Sequence, residues 1–436
     1  MKRSIFTLAL SLLLLSLLTS CVTVSSAFPQ YTPSGNAAVR VTLNDLSLST
    51  LTSFDGFSAT REPIINKASG IPERFDAPAV SRMLYNGYNR VIPYGSYLYY
   101  SSMQKDRADF HRVNIQTGAV ETFSPDHTDG LLLSFAVVGD EKAPYIFYAV
   151  NTDGISQKEG TTLLKSDVWS TALYAFDTKT RETYTVIEDC AAIHRIHSFV
   201  VSGDRIYLSA AIYALNAVSG EITVASALLS VSTGGGDIDV LISDERLDEF
   251  FLSNGDVSIT TFDFDEASPT GKGAERVIRI DSENGEVNVS DMPEALCGAA
   301  WRTVIGDSVY FHRDDGCIYR LPLCDLSGDP TLVADAEVEI LMYTDKALYA
   351  YGFTVTEVET EDYHYYKHNI DLDTFYRIST DGSRERVFGS ESIKICETVL
   401  EQDNILYCRT TGDAYLIAID LTGGEYTVLE TNAGVS

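Results

Sequence analysis

One unit recurs seven times along this chain of 436 residues, and it constrains the fold more than any other feature. A short strand of aliphatic and aromatic residues, in its clearest copies closed by Asp or Asn, runs into a turn rich in Thr, Gly and Asp. The copies are Phe110–Asn114 before Gln116-Thr117-Gly118, Leu173–Asp177 before Thr178-Lys179-Thr180, and Leu228–Val231 before Thr233-Gly234-Gly235. They continue as Val277–Asp281 before Glu283-Asn284-Gly285, Ile318–Leu321 towards Ser327-Gly328, Tyr376–Ile378 before Thr380-Asp381-Gly382, and Leu416–Asp420 before Thr422-Gly423-Gly424. Their starts at 110, 173, 228, 277, 318, 376 and 416 are separated by 63, 55, 49, 41, 58 and 40 residues.

A second strand precedes each unit and repeats too. It reads Gly95-Ser96-Tyr97-Leu98-Tyr99-Tyr100, Gly203-Asp204-Arg205-Ile206-Tyr207-Leu208 and Gly306-Asp307-Ser308-Val309-Tyr310-Phe311, with weaker copies at Asp345–Tyr349 and Asp403–Tyr407. Turn residues between alternating strands punctuate hairpins. Four short strands per unit, at a period of about 40 to 60 residues, are the sequence form of a β-propeller blade. No helical period of 3.6 follows the first 20 residues. The expected fold is all-β, a propeller most simply of seven four-stranded blades over residues 81–436, with six or eight blades as neighbouring solutions.

The N-terminus carries a separate signal. Lys2 and Arg3 precede an apolar run from Ile5 to Leu18, which ends in Leu18-Thr19-Ser20-Cys21. As a helix the run spans about 21 Å, against a hydrocarbon core of about 30 Å, so it suits a cleaved export signal better than a membrane span. The four residues resemble the lipobox of bacterial lipoproteins. That resemblance implies thioether lipidation of Cys21, removal of residues 1–20, and attachment to the bilayer. Two acyl chains on one cysteine anchor stably where one does not. Residues 21–38 read as a flexible tether, small and polar from Val22 to about Asn36, able to extend roughly 50 Å. Residues 39–80 form an N-terminal segment: Val39 to Leu51 alternates enough to add a strand to the propeller, and Phe54 to Pro78 shows no pattern.

The whole pattern resembles a family of bacterial lipoprotein propellers of unknown function, likened to the propellers of lipoprotein receptors and more loosely to TolB. Asn86-Gly87, the Gly95–Tyr100 strand and the Asp-x-x-Thr-Gly turns carry the resemblance, which runs from about Ser81 to Glu430. It implies the fold and an extracytoplasmic, lipid-anchored location, at the cell surface in a Gram-positive host. It implies no reaction. The Gly-His and Trp-Asp pairs of WD repeats are missing, as is a Ser-x-Asp-x-Gly-x-Thr-Trp box. Only Trp169 and Trp301 are present, too few for tryptophan-docked quinoprotein blades.

Charge and cysteine content narrow the partners. A net charge of −30 argues against nucleic acid and against anionic lipid as ligands of the bulk field. Six cysteines remain beside Cys21, and none forms a C-x-x-C zinc pair. Cys396 and Cys408 flank an expected turn at Gln402-Asp403, and a regular hairpin would set them opposite each other as a candidate disulfide.

The expected insertions share one face. With strands A to D counted from the axis outward, the B–C and D–A connections lie on one face and the A–B and C–D connections on the other. Long connections at Tyr148–Thr171, Ala211–Ala225, Asp263–Glu275 and Phe353–Thr374 all fall at B–C positions. Long loops on a rigid scaffold carry function disproportionately. The last reads as a projecting hairpin whose Tyr363, His364, Tyr365, Tyr366, Lys367 and His368 suit contact with a partner. On a strand His364 and His368 stand about 13 Å apart, too far to share an ion. His194 and His197 fall on opposite faces of a regular strand, which speaks against a joint role. Asp263, Asp265 and Glu266 read as an acidic surface loop. No G-x-S-x-G or H-E-x-x-H motif occurs, so no catalytic residue, metal ligand or cofactor is assigned.

The expected function is a binding or scaffolding module that meets an extracellular protein, peptide or glycan through its insertion-bearing face. The alternatives are an enzyme on an extracellular glycan or peptide with carboxylates in the funnel, and a TolB-like component of an envelope complex.

Overall fold

The structure, a computed structural model, describes residues 41–42, 70–83, 91–104, 107–128, 131–152, 170–190, 193–215, 222–243, 246–253, 256–264, 272–281, 286–299, 301–313, 317–323, 325–334, 339–359, 364–390, 392–411 and 414–431. The export signal, Cys21 and the tether lie outside the described residues.

Three N-terminal strands, β1 (Val41–Thr42), β2 (Phe75–Val80) and β3 (Arg82–Met83), precede seven four-stranded antiparallel blades. Blade 1 is β4 (Ile92–Tyr94), β5 (Tyr97–Gln104), β6 (Arg107–Asn114) and β7 (Val120–Phe123). Blade 2 is β8 (Leu131–Asp140), β9 (Ala143–Thr152), β10 (Ser170–Asp177) and β11 (Thr183–Cys190). Blade 3 is β12 (Ile193–Gly203), β13 (Arg205–Leu215), β14 (Ile222–Ser232) and β15 (Asp239–Ser243). Blade 4 is β16 (Arg246–Ser253), β17 (Asp256–Phe264), β18 (Lys272–Ile280) and β19 (Val287–Asp291). Blade 5 is β20 (Trp301–Ile305), β21 (Ser308–His312), β22 (Ile318–Pro322) and β23 (Thr331–Ala334). Blade 6 is β24 (Glu339–Tyr343), β25 (Leu348–Glu359), β26 (His364–Ile378) and β27 (Arg384–Phe388). Blade 7 is β28 (Lys394–Gln402), β29 (Ile405–Thr411), β30 (Ala414–Asp420) and β31 (Tyr426–Thr431). A single 3-10 turn, Glu294–Leu296, is the one helical element among the described residues, and no helix there is long and apolar enough to cross a membrane.

The recurring Asp or Asn explains why the C–D turns are alike. The Asn114 side-chain oxygen accepts the backbone N–H groups of Gln116 and Thr117 at 3.0 and 2.9 Å, while Gly118 donates back to the Asn114 carbonyl at 2.8 Å. Asp177 and Asp420 repeat this, accepting from Lys179 at 2.7 Å and from Thr422 at 2.8 Å. A side-chain acceptor two residues ahead of its donor closes the turn locally, before any packing with other blades. The fifth residue needs positive φ, supplied by Gly118 at 69° and Gly424 at 67°, and by Arg181 at 64°. Two Asp-Thr hydrogen bonds hold the exposed Asp420 carboxyl below the usual carboxylate range.

The core is a set of seven side-chain clusters, one in each cleft between neighbouring blades. Phe110 and Phe123 meet Phe135 and Tyr148 between blades 1 and 2, and Phe147 and Leu173 meet Phe199 and Leu208 between blades 2 and 3. Tyr207 and Leu228 meet Phe250 and Ile259, then Met292 and Leu296 meet Phe311 and Leu321. Tyr310 and Ile318 meet Leu348 and Ile378, and Tyr349 and Phe375 meet Leu406 and Ile417. The ring closes where Tyr407 and Leu416 of blade 7 pack on Leu98 and Tyr100 of blade 1. Burial of each large side chain contributes about 1.5–3 kcal/mol, which is what makes the closed ring stable where one blade alone is not. Among the described residues no strand is exchanged at the 7–1 junction, so side-chain packing alone seals it.

Buried ion pairs stitch neighbouring blades. Arg377 of blade 6 and Glu401 of blade 7 form two hydrogen bonds of 3.2 and 3.0 Å, and the Tyr349 hydroxyl donates to the same carboxylate at 2.5 Å. Burial and the Glu401 hydrogen bond push the Tyr349 hydroxyl far above its ordinary range. Glu275 of blade 4 is held by Arg302 of blade 5, which also donates to the Leu296 carbonyl at 3.1 and 2.8 Å.

The strand expected between Val39 and Leu51 is present as β1, and only the path from residue 70 onward is one that the sequence pattern did not announce. β1 pairs with β15 at the outer edge of blade 3, with Val41 opposite Val240 and Thr42 opposite Asp239. At residue 70 the chain lies against the A–B and C–D turns of blades 2 and 3. Tyr145 donates to the Gly70 carbonyl at 2.9 Å, and Thr233 donates to the carbonyls of Pro72 and Glu73 at 3.2 Å each. β2 then adds to the inner edge of β12, and β3 to the inner edge of β8. The first strands of successive blades touch one another and therefore line the axis. The segment from Phe75 to Met83 thus runs inside the ring. Phe75 is its anchor, edge-on to Tyr145 and Phe147 at 5.8 and 5.7 Å.

Candidate functional site at the upper funnel

We call the face that bears the B–C and D–A connections the upper face. The connections differ sharply in length around it. Seventeen residues separate β9 from β10, against two between β5 and β6 and two between β29 and β30. The hairpin expected around Glu361-Asp362 is present as a ribbon in which Gly352 to Glu359 pair with Asp371 to His364. The pairing of β25 with β24 stops at Tyr351 and that of β26 with β27 at Phe375, so the ribbon rises about 25 Å beyond its blade. His364, Tyr365, Tyr366, Lys367 and His368 lie on its descending strand opposite Glu359 to Val355. Tyr363 lies outside the described residues, as do Asp265 and Glu266.

A side-chain cluster lies near the upper end of β12, the innermost of the four strands of blade 3. β12 and β13 do not pair in a regular ladder. Ile193 is opposite Ile212 but Arg195 is opposite Ala211, and Ile196 is opposite Ala210 but Ser198 is opposite Ser209. His194 and His197 are therefore both extra residues at bulges, three positions apart. A bulge bends its strand and re-aims the inserted side chain. The double bulge also puts Ile193, Ile196 and Phe199 together in the core shared with blade 2. His194, Arg195 and His197 are left off that apolar face. The regular-strand expectation, with the two histidines on opposite faces, is corrected: the charges of Arg195 and His194 both oppose the charging of His197, and Arg195 opposes that of His194, so the two share one environment. The spacing Ile193-x-x-Ile196-x-x-Phe199 was the signal, since a strand with period 2 would not bury every third residue.

The environment is cationic inside an acidic protein. Burial lowers the affinity of His197 for a proton to a pKa of about 4, helped by the charges of Arg195 and His194. Burial and Arg195 lower that of His194 as well. Arg195 itself is exposed, and no carboxylate among the described side chains pairs with it. The Thr171 hydroxyl of blade 2 fixes the bulge by donating to the His194 carbonyl at 3.1 Å. Just below, Ser198 and Ser209 oppose each other, both buried, and neither hydroxyl has a partner among the described residues. The strap closes the floor: Ser81 exchanges two hydrogen bonds of 2.7 Å with the backbone of Phe199, and among the described residues no strand pairs with the inner edge of β12 above that point.

This arrangement can hold an anion. Among the described residues it contains no group of three His, Cys, Asp or Glu side chains able to hold a metal. The other sequence candidates do not converge on it. Cys396 and Cys408 are free thiols, and the disulfide expected between them is not formed. β28 is bulged at Cys396 and again at Val399, so Cys408 stands opposite Thr398 rather than Cys396. Cys408 enters the core with blade 6, and Cys396 donates to the Arg409 carbonyl at 3.4 Å. Burial pushes the Cys396 thiol up to about 11, so it is unreactive as a nucleophile near neutral pH.

No protein-family model matches the chain, and no curated protein matches it in sequence. Solved structures resemble it in shape. A prolyl endopeptidase, studied for the role of inter-domain dynamics in catalysis and specificity, aligns with a TM-score of 0.49 and 14% identity over 81% of this chain and 48% of its own. AztD from Citrobacter koseri aligns with a TM-score of 0.39 and 11% identity over 80% of this chain and 94% of its own. BamB from Moraxella catarrhalis aligns with a TM-score of 0.34 and 13% identity over 78% of this chain and 95% of its own. The chain thus spans about half the length of the prolyl endopeptidase. At such identities the likeness concerns the fold alone.

Proposed function

We propose that this protein is a lipid-anchored, extracytoplasmic binding module that meets its partner through the upper face of a seven-bladed propeller. One observation carries the reading: the longest connections between blade strands, seventeen residues from β9 to β10 and nine from β19 to β20, and the ribbon of blade 6 all belong to the upper face, while residues 70–73 meet the ring at the opposite one. β1 docks at the rim of blade 3, and residues 70–73 lie on the lower turns of blades 2 and 3. A lipid on Cys21 would thus be joined to the lower side through 19 intervening residues, enough to reach about 60 Å when extended. The upper face is left free to engage a protein, peptide or glycan of the cell exterior. The enzyme alternative gains no support from the carboxylates described on the inner strand of blade 7, since Glu397 and Glu401 are engaged by Arg409 and Arg377.

Two experiments test this. Cys21→Ser should move the protein from the membrane fraction to the soluble one; retention in the membrane would refute the anchor. Glycan and peptide arrays should be probed with the full-length chain and with a chain whose ribbon is cut back to the Thr354–Asn369 pair. Array binding that the shortened ribbon loses supports the upper face. Binding that is unchanged by it, or none on either array, counts against that face.

A further inference from the structure

We propose that Arg195, with His194 and His197, forms a carboxylate-binding subsite in the upper funnel. It rests on the reading of the upper face as the binding face. It adds the chemical class of the group recognised there.

The geometry argues for a built site. Two bulges in one strand place two imidazoles on either side of one guanidinium over four consecutive residues, His194 to His197. The floor is made by the chain's own strap at Ser81, and Thr171 pins the first bulge. Blade 7 provides an internal control. β28 carries the same pair of bulges three residues apart, and the residue that corresponds to Arg195 is Glu397. Glu397 has a cation directly opposite it, Arg409, at 3.0 Å. The residue directly opposite Arg195 is Ala211. In blade 7 the opposing strand supplies the countercharge, and at the equivalent position opposite Arg195 it supplies none. A ligand carboxylate would fill that vacancy with charge-assisted hydrogen bonds, for which the guanidinium fork is well matched.

The histidines couple the site to pH. The charged group beside them among the described side chains is Arg195 on their own strand, and β13 presents only Ser209 to Ile212 opposite. Both imidazoles are neutral at pH 7 in the free protein, because burial and Arg195 oppose their charging. A bound carboxylate offsets Arg195 and favours their charged forms, so binding takes up protons and tightens as pH falls below neutrality.

The test is a titration of the full-length chain in detergent, followed by the imidazole resonances of His194 and His197. The probes are glucuronate, N-acetyl-dialanine, and the uncharged amide of N-acetyl-dialanine. A carboxylate should move both resonances and the amide neither. Affinity should rise from pH 7.5 to 5.5. Arg195→Ala should weaken binding about tenfold or more, while Arg195→Lys keeps part of it. A response to glucuronate alone assigns the group to a sugar, and to the peptide alone assigns it to a chain end. Equal shifts from acid and amide, or a Kd unchanged in Arg195→Ala, or no shift at all, would overturn the subsite. Array binding lost with the ribbon but no carboxylate response would leave the upper-face reading standing and this inference refuted; carboxylate binding without any array ligand would do the reverse.

Discussion

Blades 3 and 7 solve the same local problem with opposite chemistry. Their inner strands both slip twice near the upper face, at His194 and His197 in one and at Cys396 and Val399 in the other. In blade 7 the slipped segment is internally neutralised. Glu397 and Arg409 pair across the strands with side chains 17% and 9% exposed, and the inserted thiol and valine carry no charge at pH 7. In blade 3 the same backbone bears a lone exposed cation flanked by two imidazoles. A bulge therefore does not by itself make a site here. What separates the two is whether the opposing strand supplies the countercharge.

The sharpest way to break the comparison is to uncouple blade 7. Glu397→Ala leaves Arg409 buried without its carboxylate, and we expect a loss of about 3–5 kcal/mol in urea or guanidinium unfolding. Arg195→Ala, which removes an exposed cation that no described carboxylate pairs with, should change stability by no more than about 0.5 kcal/mol. Equal losses in the two variants would show that the blades are not different in this respect. The next effect is one of pH. His197 has a folded pKa of about 4, below its unfolded value of about 6.5, so the unfolded chain binds the extra proton first. The stability tied to its neutral form is complete above pH 6.5 and is lost as pH falls towards 4, by up to about 3 kcal/mol. His197→Asn should flatten that part of the stability profile. A profile with the same slope in the variant would mean that the acid sensitivity belongs to other groups.

How much of this was legible in the sequence follows from the range of the interactions. The Asn114, Asp177 and Asp420 turns are closed by donors two and three residues on, so a single stretch of sequence displays them, and the blade count follows. The ribbon of blade 6 was legible from its alternation. The strap was not. Phe75-Asp76-Ala77-Pro78-Ala79-Val80 has one large apolar residue and a proline, and its partner strand lies some 120 residues downstream. Proline is tolerated there because β2 is an edge strand with no neighbour on its inner side. The histidine pair and the two cysteines were misread for one shared reason. Counting faces along β12, or outward from the turn at Gln402, assumes a regular ladder, and two bulges in each strand undo the count.

The smallest expected effect gives the most direct test of the difference between the blades. Ala211→Glu places a carboxylate opposite Arg195, as blade 7 has done with its charges reversed. A cross-strand pair of opposite charge contributes about 0.2–1 kcal/mol, opposed by the cost of seating a carboxylate where Ala211 is buried, so the unfolding midpoint should shift little. The imidazoles should respond more than the stability does. With Arg195 neutralised from within, His194 and His197 should titrate at higher pH, because one of the two forces that hold them neutral is removed. The same variant should lose its response to glucuronate and to N-acetyl-dialanine, since the new side chain occupies the position the ligand would take. If the imidazoles shift and the ligands still bind, Arg195 is not the group that they meet. If neither changes, Arg195 does not govern the imidazoles, and the contrast between blades 3 and 7 disappears.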